Sequence, residues 1–155
     1  MADAPFPLPA DGEFRDGAHR FPLRVYFEDT DLSGVVYHAN YLRFMERARS
    51  DMLRQAGVDQ RGTHAAGGGY YAIADLSLRY LKPAMLDDDL LVISRMRNVR
   101  AASCVIAQSI WRGAEQLTDG EVIAAFLSAK GRPQRQPAHW ITAFNRLASG
   151  EDTPS

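Results

Sequence analysis

A single cysteine, Cys104, stands among 155 residues. It cannot form an internal disulfide, which excludes the stapled scaffolds of small secreted proteins. It falls in the apolar stretch from Ala101 to Ile110, where a small buried hydrophobe is the expected role. No sign of charge prevails. Lys and Arg number 18 against 19 Asp and Glu, a net charge of -1, so no basic field exists to hold nucleic acid. No apolar run reaches the roughly 18 residues of a membrane-crossing helix. The opening MADAPFPLPADGEF has neither the cationic start nor the apolar run of a secretory signal, and a cytoplasmic protein is expected. No GxSxG elbow supports a serine-hydrolase mechanism. The Cys and His spacing gives no zinc pattern.

What is present is ordinary for one globular domain. Hydrophobic residues make up 46% and charged residues 24%, and domains commonly run to about 100–200 residues. Residues 1–20, with Pro5, Pro7, Pro9 and Gly12, read as a flexible N-terminal tail. Residues 21–148 read as the single domain, and 149–155 as a frayed end.

Within the domain, Leu23 to Glu28 is a strand candidate and Asp29 to Gly34 (DTDLSG) a turn. A helical pattern runs from near His38 to Ala56. Tyr41, Met45, Ala48, Met52 and Ala56 form one stripe, with Arg43, Glu46, Arg47, Ser50, Asp51 and Arg54 mostly off it. Arg47 and Asp51 stand four apart and can pair. Asn40 is a candidate N-cap and Gly57 a natural stop. Gly62 to Gly69 reads as a loop. Ala74 to Tyr80 alternates with period two, the mark of a half-buried strand. Leu90 to Val99, Ser103 to Trp111 and Val122 to Ala129 are further strands, and Pro137 to Leu147 a short closing helix. One helix covers one face of such a sheet. The near-continuous apolar run VIAAFLSA therefore argues for pairing between subunits.

The stretch EDTDLSGVVYHANYLRFMERAR carries the chemistry. Asp29 and Asp31 stand in a tight turn just before a helix opens near Tyr37 and His38. A helix start presents unpaired backbone N–H groups and partial positive charge, which polarise a carbonyl and stabilise an oxyanion. A carboxylate in the preceding turn can act there as general base or nucleophile. The pattern suits acyl transfer to water. The same residues also fit a turn-and-cap device, a hydrogen-bonded first-turn histidine, or a metal set of Asp29, Asp31 and His38, and spacing does not choose among these.

This stretch resembles the opening motif of the hot-dog-fold acyl-CoA thioesterases. It is most similar to the 4-hydroxybenzoyl-CoA thioesterase-like family, in its Tol–Pal-associated branch. The likeness rests on the DxD turn, GVVYHANY and the following ExAR, and it extends in element order over residues 21–130. It implies an α+β fold in which a five- or six-stranded antiparallel sheet wraps around one long central helix. It implies a homodimer or homotetramer with sites at the subunit interface, acyl-CoA as substrate, and no cofactor or metal. By the family pattern Asp31 is the catalytic carboxylate. His38 gives its backbone N–H to the thioester carbonyl and has a side chain implicated in activity. Tyr37 is a candidate wall of the acyl pocket, and Asp29 stabilises the turn. Glu46 and Arg49 are expected to pair with each other or with a neighbouring subunit. Arg132 and Arg135, with Lys130, are candidates to meet the CoA phosphates. Two departures from the pattern stand out: Phe27 where relatives often carry Tyr, and Leu32-Ser33 where small residues are common. A hydratase or dehydratase of acyl thioesters on the same fold, and a non-catalytic acyl-CoA-binding adaptor, are the competing functions.

Overall fold

A computed structural model describes residues 5–151. Three helices and six strands follow one another as β1 (Glu13–Arg15), β2 (Ala18–Arg24), α1 (Asn40–Gln55), α2 (Gln60–Ala65), β3 (Tyr70–Tyr80), β4 (Asp89–Val99), β5 (Ser103–Arg112), β6 (Glu115–Leu127) and α3 (Ala138–Ala148). The strands make one antiparallel sheet in the order β1-β2-β4-β5-β6-β3. The expected α+β arrangement, a six-stranded sheet around a long helix, is the one observed.

Alternation assigns the two faces of the sheet. Val92, Ile110 and Thr118 align across β4, β5 and β6 and are buried, as are Met96, Ile106 and Val122. The apolar stripe of α1 packs on this face. Tyr41, Phe44, Met45 and Ala48 join Val92, Ile110, Leu117 and Val122 in one cluster. Met52 and Leu53 join Met96, Ile106 and Phe126 in a second, which α3 closes with Trp140, Phe144 and Leu147. A polar ladder crosses the core between helix and sheet. Arg49 Nη1 donates to Gln108 Oε1 at 2.9 Å. Gln108 Nε2 donates to the Met45 carbonyl at 3.0 Å and to Ser94 Oγ at 2.9 Å. The expected partner of Arg49, Glu46, is not within ion-pair distance. Cys104 is buried as expected, and burial pushes its thiol up to about 11.

The structure corrects several boundaries. Residues 13–20 are not tail but β1 and the first three residues of β2, paired through Arg20↔Ile93 and His19↔Ser94 to β4. Residues 1–4 and 152–155, parts of the expected tail and frayed end, lie outside the described residues. The strand expected over Leu23–Glu28 ends at Arg24, and Phe27–Asp29 winds into a 3₁₀ turn because the Asp29 carboxylate takes the Tyr26 N–H at 2.8 Å. The Gly62–Gly69 loop begins as α2, capped where Asp59 Oδ1 accepts the Gly62 N–H at 3.0 Å. Ala74 falls at a shift of the β3–β6 register and is exposed. Leu76 and Leu78 beyond it face the core as expected. Gly57, at φ +91°, ends α1 as its position predicts.

Asp51 is the clearest surprise on α1. Spacing puts it off the buried stripe and within reach of Arg47, with which it can pair, yet it is buried. Its Oδ2 accepts from His19 Nε2 at 2.6 Å, the Gly12 N–H at 3.0 Å and Gln55 Nε2 at 2.6 Å. Arg47 instead lies over the Phe44 ring.

Candidate active site

The loop between β2 and α1 is built by short-range bonds. Asp31 O accepts the Gly34 N–H at 3.0 Å, closing a four-residue turn. Asp at its first position and Gly at its last are the residues such a turn favours. Gly34 takes φ +86°, a conformation open to glycine and costly for other residues. The chain then returns antiparallel, with the Asp31 N–H on the Val35 carbonyl at 2.9 Å. The Val36 N–H reaches the Ala84 carbonyl at 2.8 Å, which fastens the loop to the segment before β4.

This turn divides the two oxygens of Asp31. Oδ1 accepts from the Ser33 N–H at 2.9 Å and from Ser33 Oγ at 2.5 Å. Oδ2 accepts no hydrogen bond among the described residues, and the side chain is exposed. The Ser33 hydroxyl and amide hold the Asp31 carboxyl below the usual carboxylate range, and the nearby His38 adds to the effect. Ser33 is thus a site residue that sequence reasoning missed. Its signal was the Asp-x-Ser spacing, which lets a serine bond back to the carboxylate.

His38 stands two residues before α1. The helix has no side-chain cap at Ala39, and Asn40, expected as the cap, is the first helical residue instead. The Asn40 N–H goes to the Tyr37 carbonyl at 2.8 Å, and the His38 carbonyl accepts from Tyr80 Oη at 2.6 Å. Among the described residues no acceptor takes the His38 N–H. An unclaimed amide at a helix start is a donor ready for an incoming oxygen.

Tyr37 is half exposed, with its ring 4.5 Å from the His38 ring. A cavity of about 220 Å³ opens beside His38, walled by Val36, Tyr41, Tyr80, Leu81 and Pro83. A more enclosed cavity of about 100 Å³ lies under the middle of α1, with Arg49, Ile73 and Ile106 among its walls, and neither Asp31 nor His38 lines it. Both oxygens of Asp29 are engaged, Oδ1 by Asn40 Nδ2 and Oδ2 by the Tyr26 N–H. Among the described residues no three His, Cys, Asp or Glu side chains gather to hold a metal ion. Phe27, the departure from the family pattern, is exposed.

Asp31, Tyr37 and His38 share this one end of the fold. Arg132 and Arg135 do not. They sit exposed in the loop after β6, which is tied to the opposite end of β3 by Gln134 Nε2 on the Gly68 carbonyl at 2.9 Å. Tyr80, which holds His38, ends that strand and Tyr70 begins it. Ten steps at about 3.3 Å make the separation about 33 Å.

The thioesterase superfamily model matches residues 33–118. The chain belongs to the thioesterase superfamily. Its similarity to superfamily members extends well beyond the matched segment. It is 35% identical to the acyl-CoA thioesterase YbgC of Haemophilus influenzae over 133 residues, 85% of this chain and 98% of that protein. It is equally identical to the acyl-CoA thioester hydrolase YbgC of Escherichia coli O6:H1, over 82% of this chain and 96% of the other. Among solved structures, a probable thioesterase from Bartonella henselae is 35% identical with a TM-score of 0.74, covering 77% of this chain and 99% of its own. A 1,4-dihydroxy-2-naphthoyl-CoA thioesterase from Synechocystis, 22% identical, shares the fold at a TM-score of 0.79 over 84% of this chain and 98% of its own. The hot-dog fold expected for this chain is the fold of the superfamily.

Proposed function

We propose that this thioesterase hydrolyses acyl-CoA to a free acid and CoA, with Asp31 and His38 as its catalytic groups. The observation that carries the reading is the division of Asp31: one oxygen fixed by Ser33, the other free, close to a helix start whose His38 N–H is unclaimed. The thioester carbonyl oxygen rests on that N–H. The free Oδ2 takes a proton from water as the water oxygen adds to the carbonyl carbon, and the His38 amide holds the oxyanion that forms. The oxyanion then collapses, the C–S bond breaks, and the proton passes to the departing CoA sulfur. Attack by Oδ2 itself gives a mixed anhydride that water then cleaves, with the same products. The His38 ring orients substrate or water, and Tyr37 borders the acyl group.

The working form is a homodimer or homotetramer. Support comes from β3, an eleven-residue strand at the edge of the sheet. An edge of that length is a ready template for a second copy. Antiparallel pairing of β3 with its twofold mate sets the Tyr70 end of one subunit beside the Tyr80 end of the other. The loop bearing Arg132 and Arg135 then approaches the partner's helix start, where guanidinium groups suit the CoA phosphates. The enzyme is assigned to the cytoplasm and to the Tol–Pal-associated branch. No helix among the described residues is long and apolar enough to cross a membrane.

Replacing Asp31 with Asn tests the mechanism, because it keeps size and removes the base. Thiol release from acyl-CoA is expected to fall at least about 100-fold, with acyl-CoA affinity by calorimetry unchanged. Turnover at the wild-type rate removes Asp31 from the reaction. A panel of acyl chain lengths, run with the wild type, defines the substrate.

A further inference from the structure

The His38 N–H and the Tyr37 carbonyl belong to one peptide unit. The orientation of that plane decides whether the amide meets a substrate oxygen. No side chain caps α1, so something else must fix the plane.

Bonds from two buried residues do this. The Tyr37 N–H donates to the Asp29 carbonyl at 2.9 Å, on one side of the plane. The Tyr37 carbonyl accepts the Asn40 N–H at 2.8 Å, on the other. The two residues are then locked together, Asn40 Nδ2 donating to Asp29 Oδ1 at 2.7 Å across eleven positions of chain. The second oxygen of Asp29 holds the Tyr26 N–H. Asp29 is 3% and Asn40 7% exposed, so water does not readily substitute for the link. The bond to the Tyr37 carbonyl also polarises the peptide whose N–H is to bind the oxyanion.

We infer that Asp29 and Asn40 are a positioning pair for the thioesterase reaction, holding the Tyr37–His38 peptide so that its N–H is aimed at the substrate carbonyl. The inference rests on the role proposed for His38 and goes beyond the turn-stabilising role expected for Asp29. Neither side chain touches the reacting atoms. The pair acts through the plane it fixes, and displacement of a reacting group by as little as about 1 Å can cost on the order of 100-fold in rate.

The bond is reversible in sense, which gives a test. Asn40→Asp opposes two buried carboxylates. Asn40→Ser removes the link without adding charge. The double variant Asp29→Asn/Asn40→Asp rebuilds it, because the amide introduced at position 29 donates to the carboxylate introduced at position 40, and the side-chain carbonyl at position 29 still accepts the Tyr26 N–H. Each single variant at position 40 is expected to lower kcat about 10-fold or more while KM stays within about 3-fold. The reciprocal variant is expected to return kcat to within about 3-fold of wild type. Folding of each protein is checked by circular dichroism. A purely structural role predicts lost stability but wild-type kcat per folded molecule, and that result in Asn40→Ser overturns the inference. So does a folded reciprocal variant that stays as slow as the single ones. Asp31→Asn, run alongside, separates the two levels. If it is inactive while the position-40 variants turn over normally, only the positioning pair fails. If it is fully active, the mechanism and the pair fail together.

Discussion

Asp51→Ala should weaken the fold without touching the chemistry, and the size of the loss follows from the bonds counted at that carboxylate. Asp51 Oδ2 serves three donors. Gln55 Nε2 keeps a second partner in the Gly12 carbonyl at 2.7 Å, so it is not stranded. Among the described residues, the Gly12 N–H and His19 Nε2 are left with no other acceptor. Each stranded donor costs about 1–3 kcal/mol, so the loss is about 4 kcal/mol in all. In a chain of this size each kcal/mol moves Tm by roughly 2–4 °C, so a drop of about 8–16 °C is expected. Thermal unfolding followed by circular dichroism at pH 7, at one fixed protein concentration because association shifts Tm, measures it. Thiol release per folded molecule should match wild type well below the transition. A drop under about 3 °C would refute the reasoning, since it would mean that Asp51 does not hold β1 and β2 to α1. The wild type carries a related pH signature. Burial holds the His19 pKa below 6.5, against a weaker upward pull from Asp51, and the unpartnered His19 Nδ1 fits a neutral ring that donates from Nε2. The unfolded chain therefore binds more protons than the fold below pH 6.5. Stability rises with pH through that window and is lost as pH falls.

Two further outcomes test the site from other directions. Ser33→Ala removes the hydroxyl that does most to lower the Asp31 pKa. The acid limb of the kcat/KM profile should move to higher pH, towards the ordinary carboxylate range, and an unmoved limb would detach Ser33 from the catalytic base. The double variant Arg132→Glu/Arg135→Glu should raise KM for acyl-CoA about 10-fold or more with kcat little changed, as expected when uniform binding is lost. An unchanged KM in steady-state thiol release would remove the basic loop from the CoA site.

The fold was legible where its causes are local. The stripe of α1, its stop at Gly57 and the alternation of Leu76 and Leu78 are written in spacing alone. β1 and the start of β2 were not, because what makes them strands is a ladder to Ser94 and Ile93, more than seventy positions away, and nothing in a Pro- and Gly-rich approach announces that partner. The first half of β6, Glu115 to Glu121, is polar on its outer side and so lacked the apolar signal of VIAAFLSA. Asp51 misled for the same reason as β1. A carboxylate on a helix flank reads as solvated until His19 is brought against it from a strand.

The site divides along the same line. Asp29, Asp31, Ser33, His38 and Asn40 lie within twelve consecutive positions, and every bond that sets the free oxygen of Asp31 and the open amide of His38, apart from Tyr80 and the Ala84 anchor, is made inside or immediately beside that stretch. A motif of this kind is readable because turn chemistry fixes its geometry with little help from the rest of the chain. Arg132 and Arg135 obey no such rule. They stand at the far end of β3 from His38 in the same chain, and the pairing of β3 edges proposed above is what brings their charge to the substrate proposed. A residue whose partner sits on another subunit leaves no spacing in its own sequence. Its role has to be argued from topology: which strand is unpaired, and what that strand carries at each end.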